Sequence, residues 1–142
     1  MAYENINVMK LRNALNNLDS IMVNKRDLSK TEGNLNATNW SENSRVMIKN
    51  ALVEMEDIYE KIKDYIGNCK MATNYIEEYK KLDNENKQYQ KRIERIKDEI
   101  NSASEDKDTS NLEDKVFNYD NNIAANNLKK KNLKEKINSL IG

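Results

Sequence analysis

Apolar residues recur three or four positions apart over almost the whole chain. From about 6 to 36, Val8, Leu11, Leu15, Leu18 and Met22 alternate spacings of three and four, and Leu28 and Leu35 lie one and two heptads on from Ile21. That spacing sets them on one face of a helix. Lys25, Ser29 and Glu32 weaken its far end, and Gly33 costs it about 1 kcal/mol relative to alanine. The next run, about 44–100, is the strongest helical signal. Ile48, Met55, Ile62, Cys69 and Ile76 form one row at heptad spacing, Leu52, Tyr59 and Ile66 a second, and Ala51, Ile58, Tyr65, Ala72 and Tyr79 a third. Three adjacent rows make a face broad enough for more than one partner helix. Beyond Tyr79 the stripe changes phase, to Leu82, Tyr89 and Ile96 with Asn86, Ile93 and Ile100. Such a shift is a stutter in a long helix. Gly67 has no second breaker beside it, so the spacing predicts a continuous helix.

Two breaks divide the chain. Around Trp40, small and capping residues cluster from Ala37 to Ser44, and Asn39, Ser41 and Asn43 are candidate N-caps for the long helix. From 101 to 110 the chain is polar and acidic, which predicts a loop. Ser110 and Glu113 then have the S-x-x-E spacing of a capping box. The last segment, 111–140, carries Leu112, Val116, Tyr119 and Ile123, then Leu133, Ile137 and Leu140, with its stripe interrupted by Asn126, Asn127 and Lys129 to Lys131. At a rise of 1.5 Å per residue the first and last segments, about 46 and 45 Å, together match the long helix of about 85 Å. The expectation is therefore all-α. An antiparallel hairpin with a very long second helix occupies 1–100, a polar linker 101–110, and a third helix, 111–142, folds back along the second half. Folding midway between 100 and 111 sets residue 132 opposite Tyr79. Folding the first hairpin about Trp40 ends the first helix just short of Tyr79.

Composition narrows the chemistry. The 142 residues hold 24 Lys plus Arg against 24 Asp plus Glu, a formal net charge of zero, which argues against whole-chain binding to nucleic acid or to an anionic membrane. Histidine and proline are absent, glycine occurs three times and cysteine once. The chain thus lacks the commonest general base and metal ligand, cannot form an internal disulfide, and has few of the turn residues a sheet protein needs. The expectation is no enzyme, no catalytic residue, no metal and no cofactor. Apolar runs stop at three residues, so no stable membrane insertion is expected. The start MAYENINVMKLRNAL holds no basic stretch followed by an apolar core, which predicts synthesis in the cytoplasm without a signal peptide.

The other candidate features read as structure. Cys69 sits on a heptad row, as a packed thiol would. Glu54, Glu56, Asp57, Glu60, Glu77 and Glu78 fall largely opposite the apolar rows, as on a solvated helix face. Asp106, Asp108 and Ser110 have a faint calcium-loop spacing, but the turn glycine is missing and the twelfth position is Phe117. Lys129, Lys130 and Lys131 lack aromatic neighbours and read as a solvated face.

A leading helix with Leu11 and Ala14, a turn holding Trp40, Ser41 and Glu42, and a second amphipathic helix resemble the Trp-x-Gly (WXG/Esx-like) helical hairpins of type VII secretion in Gram-positive bacteria and mycobacteria. In that family the second helix ends in a Tyr-x-x-x-Asp/Glu export motif, which Tyr79-Lys80-Lys81-Leu82-Asp83 matches. The resemblance covers residues 1 to about 88. Glu42 stands where the family has glycine, and the chain continues well past the motif, as in a divergent relative such as a helical partner of LXG toxins.

The resemblance implies function by recognition, as a substrate, partner or adaptor of a type VII system. It implies a homodimer or heterodimer with another helical hairpin, with Trp40 of one chain near Tyr79 and Asp83 of the other. It also implies an LXG-type toxin as a possible partner, reading of the motif by a secretion ATPase, and export. The broad face that the chain's own helices cover only in part nominates Ile48, Leu52, Met55, Tyr59, Ile62 and Ile66 as the partner interface. The alternative is a coiled-coil scaffold or phage structural protein that stays in the cytoplasm.

Overall fold

The computed structural model describes residues 3–22 and 41–142. Of the described residues 91% are helical, in three α-helices and one short 3-10 turn, and no strand occurs among them. Helix α1 spans Val8–Met22, α2 spans Glu42–Ser102 and α3 spans Ser110–Ile141. A 3-10 turn, Tyr3–Asn5, precedes α1. The all-α expectation with an overlong second helix and a returning third helix is met.

The helix ends follow from local chemistry. Asn7 caps α1: its Oδ1 accepts from the Lys10 amide and its carbonyl from the Leu11 amide, both at 3.0 Å. These bonds satisfy donors that the first helical turn leaves free. Ser41 supplies the first carbonyl of α2, accepting from the Arg45 amide at 3.0 Å. Helix α2 then runs unbroken through Gly67 and through the phase shift after Tyr79. The sequence loop of 101–110 narrows to 103–109, because α2 keeps Asn101 and Ser102 and α3 takes Ser110. The expected Ser110 cap is corrected by one residue. Thr109 is the N-cap and makes no side-chain capping bond. The Asp108 carboxylate instead accepts from the Ser110 amide at 3.0 Å, and that bond holds its pKa below the ordinary value. A carboxylate one residue before the cap meets the positive end of the helix dipole, so it replaces the serine.

The residues fall into two compact units. One comprises 7–73 with 141. It buries Leu15 of α1 and Leu52, Ile66, Ala72 and Thr73 of α2, and an ion pair joins Lys70 to Asp19. The Thr73 hydroxyl is satisfied inside its own helix, donating to the Cys69 carbonyl at 2.7 Å.

The other unit comprises 1–6, 74–140 and 142, and the 103–109 connection lies within it. Tyr3, Ile76, Tyr79, Ile93, Leu133 and Ile137 form its apolar core. Here α3 packs antiparallel on the second half of α2. Lys136 faces Tyr75, Lys130 meets Asp83, Asn126 meets Asn86, and Tyr119 meets Tyr89, so α3 numbers fall as α2 numbers rise. The interruption in the α3 stripe, at Asn126, Asn127 and Lys130, is where the two helices make their polar contacts.

Candidate functional site

Tyr79 and Asp83 lie one helical turn apart on α2, so their side chains share a face. Tyr79 is only 5% exposed. The edge of the Tyr3 ring meets it at a centroid distance of 5.3 Å and 75°. Sequence folding about Trp40 stops the N-terminal segment short of this point. Tyr3 reaches it, and the Lys80 ammonium donates to the Ile6 carbonyl at 2.8 Å. From α3, Lys130 and Lys134 stand 4.8 and 5.5 Å from the centre of the Tyr79 ring. Position 132, set opposite Tyr79 by the chain arithmetic, is midway between them. Cations at these distances are attracted to the ring face.

Asp83 is held between two lysines. Lys130 donates to its Oδ1 at 2.8 Å, and Lys87, one turn along α2, lies 3.1 Å from its Oδ2. The Lys130–Asp83 pair is largely covered, with 16% and 19% of the side chains exposed. The Lys130 hydrogen bond, opposed by partial burial and reinforced by Lys87, holds the Asp83 carboxyl below the usual carboxylate range. Burial alone would lower the Lys130 pKa, but the Asp83 hydrogen bond and charge, with Tyr79, raise it instead. One turn further, Asn126 of α3 is buried and donates to Asn86 at 3.0 Å, and Asn86 donates to Asn127 at 3.0 Å. These bonds satisfy amides that would otherwise be costly inside a helix interface. An open depression of about 250 Å³ beside the pair is lined by Tyr79, Asn127, Lys130, Lys131 and Lys134.

The ion pair makes a pH prediction. The depressed Asp83 pKa means the pair stabilises above the ordinary carboxylate value, about 4, and that this part is lost as pH falls through the folded value. The raised Lys130 pKa keeps the contribution below the ordinary lysine value, about 10.4, and it fades as pH rises through the folded value. Asp83→Asn is expected to lower stability by about 1–2 kcal/mol at neutral pH, with the gap from the parent closing below about pH 4. Thermal midpoints of both proteins from pH 3 to 8 check this.

The remaining sequence candidates are placed as follows. Trp40 lies outside the described residues, while Ser41 and Glu42 open α2. Of the nominated interface, Leu52 and Ile66 are buried in their own unit and Tyr59 is half-buried; Ile48, Met55 and Ile62 are exposed. Cys69 is a half-buried free thiol whose pKa burial pushes up, as suits packing. Among the described residues no group of three or more acids or cysteines could hold a metal ion, and no helix is long and apolar enough to cross a membrane. Sequence reasoning did not name Tyr3, Asn86 or Lys130 as parts of this site. The opposition of 79 and 132 was the signal that pointed toward Lys130. No family model, no curated protein and no solved structure matches the chain.

Proposed function

We propose that this chain is a non-enzymatic, WXG-like substrate or adaptor of a type VII secretion system that acts by pairing helix to helix. The observation that carries the reading is the setting of Tyr79 and Asp83. They share one face of an unbroken helix that begins at Glu42, two residues after Trp40, with the spacing of the Tyr-x-x-x-Asp export motif. Where the family's hairpins end, this chain lays α3 over the motif: Lys130 binds Asp83, and Lys130 and Lys134 lie against Tyr79. In this reading α3 covers the export segment and yields it to another helical hairpin, an LXG-type toxin or the secretion ATPase.

Asp83→Asn tests the reading, because it keeps side-chain shape and removes the charge a receptor would read. In the native host the variant is expected to fall at least tenfold in the culture supernatant relative to its own level in the cells. Unchanged export refutes the assigned role. The internal pairing of both motif residues also suits a coiled-coil scaffold, which retention of the parent protein in the cell would favour.

A further inference from the structure

The basic run Lys129 to Lys131 reads in the sequence as a solvated face, but two of its members line a concavity. Lys130 and Lys131, with Lys134 and Asn127, border the open depression of about 250 Å³ beside Tyr79. The four α3 residues lie three, four and seven positions on from Asn127, so one side of that helix supplies most of the lining. The lining is rich in donors and holds no carboxylate. Each lysine ammonium donates and cannot accept. The Asn127 oxygen is taken by Asn86 at 3.0 Å, so the amide's NH2 end is the free one.

Charge in the depression is unbalanced. Asp83 meets Lys130 at 2.8 Å and Lys87 at 3.1 Å, so two cations already share that acid. Lys131 and Lys134 are exposed, and among the described residues neither enters an ion pair. That holds even for Lys131 and Glu135, one helical turn apart. Lys130 and Lys134 stand over the same ring, 4.8 and 5.5 Å from its centre. Like charges three and four positions apart on a helix repel, and an anion between them would relieve the repulsion.

We propose that this depression binds a phosphate group, carried on a phosphate monoester or present as the free ion. Three features choose phosphate among anions. A phosphate monoester carries a charge of about −1.5 to −2 at neutral pH, which matches the two ammonium groups left over. A single carboxylate would leave one of them uncompensated. The lining offers lysines and no arginine. Lysine binds phosphate as a point charge, whereas a planar carboxylate is best met by the arginine fork. Finally, Tyr79 is buried with lysines against its ring, so no nucleobase can stack on it. The site reads the phosphate itself. The inference goes beyond the function proposed above and does not depend on export.

The test is an NMR titration of the 15N-labelled full chain in about 0.1 M chloride, which screens weak surface attraction. The probes are inorganic phosphate, acetate, and a short neutral peptide with one phosphoserine. Inorganic phosphate is expected to shift the amides of Asn127, Lys131 and Lys134 saturably, with a Kd of about 1 mM. The double variant K131A/K134A should weaken binding by about tenfold or more. Both lysines are exposed and alanine favours helix, so the variant should fold, which circular dichroism checks. K136A removes a lysine that faces Tyr75 on the same helix, and it should weaken binding by less than about twofold. A phosphopeptide bound about tenfold tighter than inorganic phosphate, or more, assigns the site to a phosphorylated protein. A smaller preference assigns it to free phosphate. Shifts that do not saturate, acetate bound as tightly as phosphate, or K131A/K134A binding like the parent would each overturn the proposal. None of these outcomes bears on the Asp83→Asn export result.

Discussion

Truncating Ile137 to alanine is expected to destabilise the unit that joins α3 to the second half of α2 by about 2–4 kcal/mol. Ile137 has 0% exposure and belongs to the same core as Ile76, Ile93 and Leu133. Removing its three outer carbons forfeits their burial and leaves a cavity that a helix pair locked by polar layers on one side relaxes poorly to fill. The Asn126–Asn86 and Lys130–Asp83 contacts fix the register, so α3 cannot slide to close the gap. Phe117→Ala is the control. Phe117 lies on the same helix, 64% exposed, and its truncation should shift stability by about 0.5 kcal/mol or less. Chemical denaturation of the three proteins, followed by circular dichroism, checks both values.

The second large effect is at the motif itself. Tyr79→Ala is expected to cost about 3 kcal/mol, because the ring is buried, Tyr3 packs edge-on against it, and two lysines lie against it. Tyr79→Phe keeps the ring and should cost about 1 kcal/mol or less. Urea midpoints separate the two. The difference matters for function. Read from the sequence, Tyr79→Ala is neutral to folding, since alanine favours helix. The structure makes it a folding mutation as well, so a secretion defect in that variant would mix lost recognition with lost packing. Tyr79→Phe, which keeps the ring, reduces the confusion, and the Asp83→Asn export result is read beside that variant's own stability.

What the sequence made legible was periodicity, and what it hid was pairing. Heptad rows predicted α2 through Gly67 and past the stutter, because every turn contributes an apolar residue whatever covers it. The same rows could not tell which of three apolar faces the chain covers for itself. Leu52 and Ile66 turn inward while Ile58 and Tyr65 stay open, although all four fall on the apolar rows. Asn126 reads as a flaw in a hydrophobic stripe. Only the second helix reveals Asn86 as its partner. An asparagine pair of this type, with one member buried, fixes register at some expense of stability. The shift of the α3 cap from Ser110 to Thr109 has a similar cause, since the Asp108 carboxylate competes for the same amide.

The Tyr79–Asp83 site shows the same division. The match of Tyr79 and Asp83 to a short motif is a fact of sequence, and their position on one helical face follows from spacing alone. Their engagement by Lys130, Lys134 and Tyr3 comes from residues far from them along the chain. In the proposed function, recognition of the motif competes with an internal ion pair and an internal aromatic contact. The energy of that competition is set by Lys130, Asp83 and the Tyr79 ring.

Where the protein goes tests the central claim most directly. The amount in the culture supernatant is measured for the native host and for the same host lacking its type VII secretion ATPase, with a cytoplasmic enzyme followed as a lysis marker. The proposed function predicts the chain in the first supernatant, above the lysis marker, and its loss from the second. Equal amounts in both, or retention in the cells of both, would contradict it.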